Sequence, residues 1–202
     1  MTDSAELTRH DWRRELPTLM TRLVSLREPT PADLGSLVDL LSIEDASRFG
    51  IEDSALDEGV HALIEQVAMQ RANGVSFTYV ITLCATRAIV GLAQVRRLGP
   101  TFEAAECEMT LAPSARGTGA FVDAARLIGS FAFESVGASR LESRVIVQNG
   151  RANGALRKLG AVQEGVLRRS VRQGDRYFDQ ALWSVLKEDW GNHWISTSSR
   201  VH

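Results

Sequence analysis

Lysine is almost missing from this chain: 21 of its 23 basic residues are arginine, and only Lys158 and Lys187 are not. Arginine suits bidentate phosphate contacts, but a bias this uniform follows more simply from genomic base composition. A basic surplus is missing too, since 25 acids outnumber 23 bases for a net charge of −2. That counts against a partner held through nucleic-acid phosphates. The two cysteines, Cys84 and Cys107, are too few for a disulfide framework. Both sit in apolar, strand-like runs and are expected as buried thiols in a reducing compartment. No apolar run approaches the ~20 residues of a membrane span, so no membrane partner is expected. The opening MTDSAELTRHDWRRELP has no apolar centre of a secretory signal. The expected location is the cytoplasm. His10, His61, His193 and His202 are scattered, and no cluster has metal-ligand spacing, so no metal is expected.

What is present, 44% hydrophobic residues in 202, suffices for one sizeable core. Residues 1–19 read as a polar N-terminal extension, 20–190 as the domain, and 191–202 as a C-terminal tail. Met20 to Arg27 alternates as a strand does. Thr30 and Pro31 offer an N-cap and a first-turn proline, with Leu34, Leu37, Val38 and Leu41 following at helical spacing. A second helix is expected from about Ser54, with Asp57 in an approximate capping box. Leu56, Val60, Leu63, Ile64 and Val67 form its buried stripe, and Gly74 ends it. Strand patterns follow at 77–84, 89–98 and 105–111. A long helix is expected at 118–136, then a strand at 141–147, a short helix at 154–159, and an antiparallel pair at 162–171 and 177–186. Trp183 belongs to the core on this reading, while Trp190 and Trp194 cap the core or an interface. The order β-α-α-β-β-β-α-β-α-β-β predicts one α/β domain, its mixed, mostly antiparallel sheet flanked by helices.

The chemistry concentrates in Leu111-Ala-Pro-Ser-Ala-Arg-Gly-Thr-Gly-Ala-Phe121, where a strand enters a glycine-rich turn that feeds the long helix. Backbone N–H groups at Arg116, Gly117, Thr118 and Gly119 would meet the positive end of that helix, and glycine lets an anion approach the backbone. Such a turn can cradle a pyrophosphate; plain turn chemistry is the competing reading. It is no Walker A loop, because no Gly-Lys-Ser/Thr ends it, and it lacks the third glycine of a dinucleotide fingerprint.

These residues resemble the GNAT acetyltransferase superfamily, in particular its RimJ/RimL-like branch. Members carry a coenzyme A loop Arg/Gln-x-x-Gly-x-Gly/Ala, whose positions fall here on Arg116, Gly119 and Phe121, the last replacing a small residue. A second block agrees in register: Asn149, Ala152, Lys158-Leu159-Gly160-Ala161 and Glu164-Gly165. Leu167-Arg168-Arg169, Gly174-Asp175-Arg176-Tyr177 and Asp179 continue it, so the resemblance spans about residues 22–190. It implies a GNAT-like domain that uses acetyl-CoA as co-substrate and acetylates an amine, either a protein N-terminus or a small amine. The amides from Arg116 to Ala120 would hold the pyrophosphate. The backbones of Met109 and Leu111 would pair with the pantetheine, and Asn149 would hydrogen-bond it unless it merely opens the short helix.

An amine must lose its proton before it attacks a thioester, and Glu106 aligns with the acid expected to take that proton. Glu108 lies two residues on and shares the face unless a bulge intervenes; solvated strand carboxylates are the competing reading for both. An N–H near Met109 is the expected oxyanion donor. Relatives place a tyrosine or serine near the short helix to protonate the thiolate. Leu156 and Ala152 stand there, leaving Asn153 or water. That gap keeps open a coenzyme A-binding sensor or assembly module without turnover. Residues 42–65 carry a net −6 and residues 140–176 a net +6, which suggests a cationic acceptor and an anionic donor steered to different mouths. A homodimer is compatible with the sequence.

Overall fold

The computed structural model describes residues 11–41 and 56–190. The expected start of the second helix at Ser54 and the residues His10, Trp194, His193 and His202 lie outside them.

Two short strands open the chain, β1 (Leu19–Met20) and β2 (Val24–Arg27), where the sequence suggested one. A 3-10 turn over Pro31–Asp33 leads into α1 (Leu34–Leu40). Its capping residue is Asp33, whose Oδ2 accepts from the amide and hydroxyl of Thr30 at 2.8 and 2.9 Å. Both Asp33 oxygens also take a guanidinium N–H of Arg27 at 2.7 Å, and this holds the carboxyl down at about 2. Then follow α2 (Leu56–Ala72), β3 (Ser76–Leu83), β4 (Ile89–Arg97) and β5 (Ala104–Leu111). The long helix is α3 (Ala120–Ser130), which continues as a π-helical segment over Phe131–Val136 and closes at Gly137, φ 92°. The chain ends with β6 (Arg140–Ile146), α4 (Gly150–Lys158), β7 (Val162–Gln173), β8 (Arg176–Leu186) and α5 (Lys187–Trp190).

The eight strands form one sheet in the order β1-β2-β3-β4-β5-β6-β8-β7. Every neighbouring pair is antiparallel except β5 with β6, so the sheet is mixed and mostly antiparallel as expected. Alternation along the strands divides the core into two faces. Against one face pack α1 and α2, with Leu37, Val60, Ile64 and Val67 meeting Val80 and Leu92. On the other, Phe77, Tyr79, Ile81 and Val95 meet α3 through Ala124 and Ile128 and its π-helical continuation through Phe131 and Phe133. Trp12 and Leu16 join this second cluster, so residues from the expected N-terminal extension contribute to the core. Trp12 lies edge-on to Phe102 with centroids 5.1 Å apart. Neither cysteine is in a disulfide, and both are half-buried rather than fully buried.

Candidate active site

The parallel pairing of β5 with β6 lasts only three rungs, Ala104↔Arg140, Ala105↔Leu141 and Glu106↔Glu142. Beyond Glu106, β5 continues to Leu111 with no β6 partner in that ladder, and the two strands open a fork. The Ser143 hydroxyl donates to Cys107 O at 2.8 Å and closes its base. Ala112 N–H donates to Val90 O at 2.8 Å, and the register between β4 and β5 is regular. By the alternation of an antiparallel ladder, Glu106, Glu108 and Thr110 turn their backbone groups to β4. Cys107, Met109 and Leu111 turn theirs towards the fork. The side chains divide the opposite way, so Met109 and Leu111 pack against the α3 core, and Glu106 and Glu108 share the other face. No bulge separates the two acids.

At its open end β5 leads through Pro113–Ala115 into the glycine turn. Gly117 and Gly119 have φ of 82° and 94°, a region that side chains with a Cβ rarely adopt. A Cβ on Gly117 would meet nothing within 4 Å, and one on Gly119 only Leu23 Cδ2 at 3.6 Å. The space before the turn is therefore open, and residues 116–119 are exposed. Among the described residues no acceptor takes the amides of Gly117, Thr118 or Gly119. Thr118 instead braces the turn, its hydroxyl donating to Ala115 O at 2.8 Å. Arg116 Nε donates to Leu111 O at 3.2 Å, so the arginine folds back onto the strand end. A pyrophosphate-bearing ligand fits here: three amides lack an acceptor among the described residues, a helix N-terminus follows them, and the space a Cβ at Gly117 would enter is open.

Glu106 is 5% exposed, and each of its oxygens is engaged. Arg96 Nη2 on β4 donates to Oε2 at 2.6 Å, and Arg144 Nη1 on β6 lies 3.2 Å from Oε1. The carboxylate thus ties three strands together at the last closed rung. Neither arginine was singled out in the sequence. Face parity could have found them, since Arg96 is cross-strand from Glu106 and Arg144 is two residues beyond Glu142, its β6 partner.

Asn149 caps α4, accepting from Ala152 N at 3.1 Å; this cap uses its Oδ1 and leaves the Nδ2 donors out of it. Asn153 is fully spent. Its amide donates to the carbonyls of Ile146, Val147 and Asn149, and its Oδ1 accepts from Trp183 Nε1 at 2.8 Å. These bonds remove it as a proton donor to a leaving group. Beside the fork, between α3 and α4, a largely apolar cleft is lined by Cys107, Ile128, Ser143, Leu156 and Trp183 among others. His61 is an exposed helix residue whose Nδ1 lies 3.6 Å from Glu65 Oε1. Among the described residues no three His, Cys, Asp or Glu side chains are placed to hold a metal, and no helix is long and apolar enough to cross a membrane.

A splayed parallel strand pair, a glycine turn at its mouth and a helix behind the turn are the arrangement that the resemblance to acetyltransferases implies. Comparison carries this further: residues 23–162 match the Acetyltransferase (GNAT) domain. The chain belongs to that acetyltransferase family. It is 24% identical over 172 residues to the uncharacterized N-acetyltransferase YoaA of Bacillus subtilis (strain 168), covering 85% of this chain and 97% of that protein. In fold it is similar to a ribosomal-protein-S5-alanine acetyltransferase from Vibrio fischeri, with TM-score 0.74, 17% identity, and coverage of 86% and 98%. It is similarly close to the spermidine/spermine N-acetyltransferase SpeG from Vibrio cholerae, with TM-score 0.70, 20% identity, and coverage of 84% and 96%.

Proposed function

We propose that this protein transfers an acetyl group from acetyl-CoA to an amine by direct attack on the thioester, as a member of the RimJ/RimL-like branch. The observation that carries the reading is the convergence of the β5–β6 fork and the open glycine turn at one end of β5. On this reading the amides of Gly117, Thr118 and Gly119 hold the pyrophosphate, those of Arg116 and Ala120 donating instead to Pro113 O and Thr118 Oγ1, and Met109 and Leu111 present backbone groups to the pantetheine. Asn149 supplies a donor beside it. The Met109 N–H stands for the oxyanion, and Glu106 and Glu108 are the carboxylates facing the acceptor. The sheet face that bears them adjoins α1 and α2, which would form one wall of the acceptor cleft.

The acceptor is an amine that arrives as a cation, either a protein N-terminus or a small amine; the two fold neighbours named above exemplify both kinds. The chain would work in the cytoplasm as a monomer or homodimer, with neither nucleic acid nor membrane as partner. Incubation with acetyl-CoA and a panel of spermidine and alanine-initiated peptides, with free thiol as the readout, tests the proposal. Thiol release that depends on the amine supports it. A second reading, coenzyme A binding without turnover, draws on Leu156 and the apolar cleft, where no strong proton donor faces the departing thiolate. Binding of acetyl-CoA with no amine-dependent thiol would favour that reading.

A further inference from the structure

We propose that Arg144 receives a carboxylate carried by the acceptor, so that the preferred acceptor is an amino acid rather than a bare amine. The proposal rests on the acetyl-transfer reading above and specifies its acceptor. Arg144 lies on β6 two residues beyond Glu142, the last residue of that strand in register with β5. It therefore stands on the open arm of the fork, and its pairing with Leu182 of β8 fixes that arm from behind. Leu141 belongs to the α3 core, so by alternation Glu142 and Arg144 turn to the opposite face. That is the face of Glu106, with which Arg144 is ion-paired, and the one left to the acceptor. The glycine turn leads into α3 on the other side of the sheet, so the cofactor's phosphates belong to that other face.

The Arg144 guanidinium is underused. Arginine has five N–H donors and no acceptor. Nη1 lies 3.2 Å from Glu106 Oε1, but the shorter contact to that carboxylate, 2.6 Å, comes from Arg96. Nε is buried and, among the described residues, donates to nothing. The other arginine on this face of β6 shows the contrast. Arg140, at the closed end, donates from Nε to Glu142 at 2.9 Å and from its two Nη atoms to Glu164 at 2.7 and 2.5 Å. A buried N–H without an acceptor is costly, and a ligand oxygen would remove that cost. With Nη1 turned to Glu106, the remaining edge, Nε with Nη2, matches the two oxygens of a carboxylate. The side chain is 38% exposed, so a ligand can reach it.

An amine joined to a carboxylate suits both arms of the fork. Its carboxylate meets Arg144 on β6, while its amine stands at β5, where the thioester carbonyl is attacked. A polyamine brings only donors and sets an ammonium against the guanidinium. Spermidine remains a substrate on this account, but a weaker one.

The test uses the full chain with acetyl-CoA and two pairs of acceptors that differ by the carboxylate: L-alanine with ethylamine, and L-lysine with cadaverine. Each rate is referred to the neutral-amine fraction of its acceptor. Wild type should favour an amino acid over its partner amine in kcat/KM by ~30-fold or more. Arg144→Gln should raise the amino-acid KM and bring that preference below threefold, while the melting shift produced by acetyl-CoA is kept. Arg144→Lys keeps the charge but not the paired donors, and should fall between. Arg96→Gln removes the nearer partner of Glu106 and is the control for a purely structural role; it should leave the preference as in wild type. A wild type that prefers neither amino acid, or Arg144→Gln and Arg96→Gln variants that shift the preference alike, overturns the proposal and leaves acetyl transfer standing. Wild-type protein that binds acetyl-CoA but releases no thiol with these amines, spermidine or an alanine-initiated peptide overturns acetyl transfer itself, and this proposal with it.

Discussion

The indole of Trp190 occupies the space that a side chain at Gly129 would need: a Cβ there would lie 2.3 Å from Trp190 Cζ2 and 2.5 Å from Cη2. The indole N–H donates to the hydroxyl of the adjacent Ser130 at 3.1 Å, and the ring packs against Phe133 at 5.5 Å. The last described helix is thereby locked onto the C-terminal end of α3, whose first turn follows the glycine loop. Alanine is the better helix former, so in a bare helix Gly129→Ala would stabilise. Here the ring cannot retreat without giving up the Ser130 bond. The expected outcome is a loss of about 1–3 kcal/mol, read from the urea unfolding midpoint at unchanged slope. An equal or raised midpoint would show that Trp190 moves aside at little cost.

Asp33 gives the fold a defined acid response. Its two bonds from Arg27 hold the carboxyl at about 2 in the folded chain, whereas it titrates near ~4 when unfolded. The unfolded chain therefore binds the proton first as pH falls. The stabilisation, about 2 kcal/mol, is fully present above pH ~4–5 and is lost as pH drops towards 2. Asp33→Asn should melt below wild type at pH 7, and the gap should close between pH ~4 and 2. A gap that stays constant across that range would assign the loss to shape rather than charge.

The charge asymmetry makes a kinetic prediction. Of the acids in residues 42–65, Glu58 and Glu65 are exposed on α2, while Glu44, Asp45, Glu52 and Asp53 lie outside the described residues. The basic stretch is not one patch. Arg140 is paired with Glu142 and Glu164 and Arg144 with Glu106, whereas Arg168, Arg169, Arg172 and Arg176 line the exposed β7–β8 hairpin. If the acid-rich segment steers a cationic acceptor, kcat/KM for spermidine should fall as salt rises from 0.1 to 1 M, because the Debye length shrinks from ~10 to ~3 Å. A salt-independent rate would remove steering and leave the chemistry untouched.

Much of this architecture was legible because local and tertiary signals agree. Phe77 to Leu83 and Ile89 to Val95 are strands in both readings, and Gly74, Gly117, Gly119 and Gly137 all adopt the left-handed backbone that only glycine enters readily. The four-residue helix at Lys187–Trp190 was not legible, since so short a segment has no periodicity to detect. Trp12 and Leu16 were hidden by polar neighbours, although they fill the core beside Phe77 and Phe102. In the site, the glycine turn and the two β5 carboxylates could be read from spacing. The Asn153–Trp183 bond could not, because it joins a helix to a strand whose register only the folded sheet fixes; the Arg96–Glu106–Arg144 clamp needed the strand pairing before face parity could point to it.

The central claim is that acetyl-CoA binds through the amides of the 116–120 turn. Replacing Gly117 or Gly119 would disturb the backbone as well as the site, so the sharper variant is Thr118→Glu. It keeps both glycines and sets a carboxylate before the amides. In a thermal melt at 100 times the dissociation constant, acetyl-CoA should stabilise the wild type by ~2.7 kcal/mol, and Thr118→Glu should lose most of that gain measured against its own ligand-free melt, which falls somewhat because the bond to Ala115 O is lost. A wild type whose melting temperature does not respond to millimolar acetyl-CoA, or a Thr118→Glu variant that responds as strongly as wild type, would contradict the account.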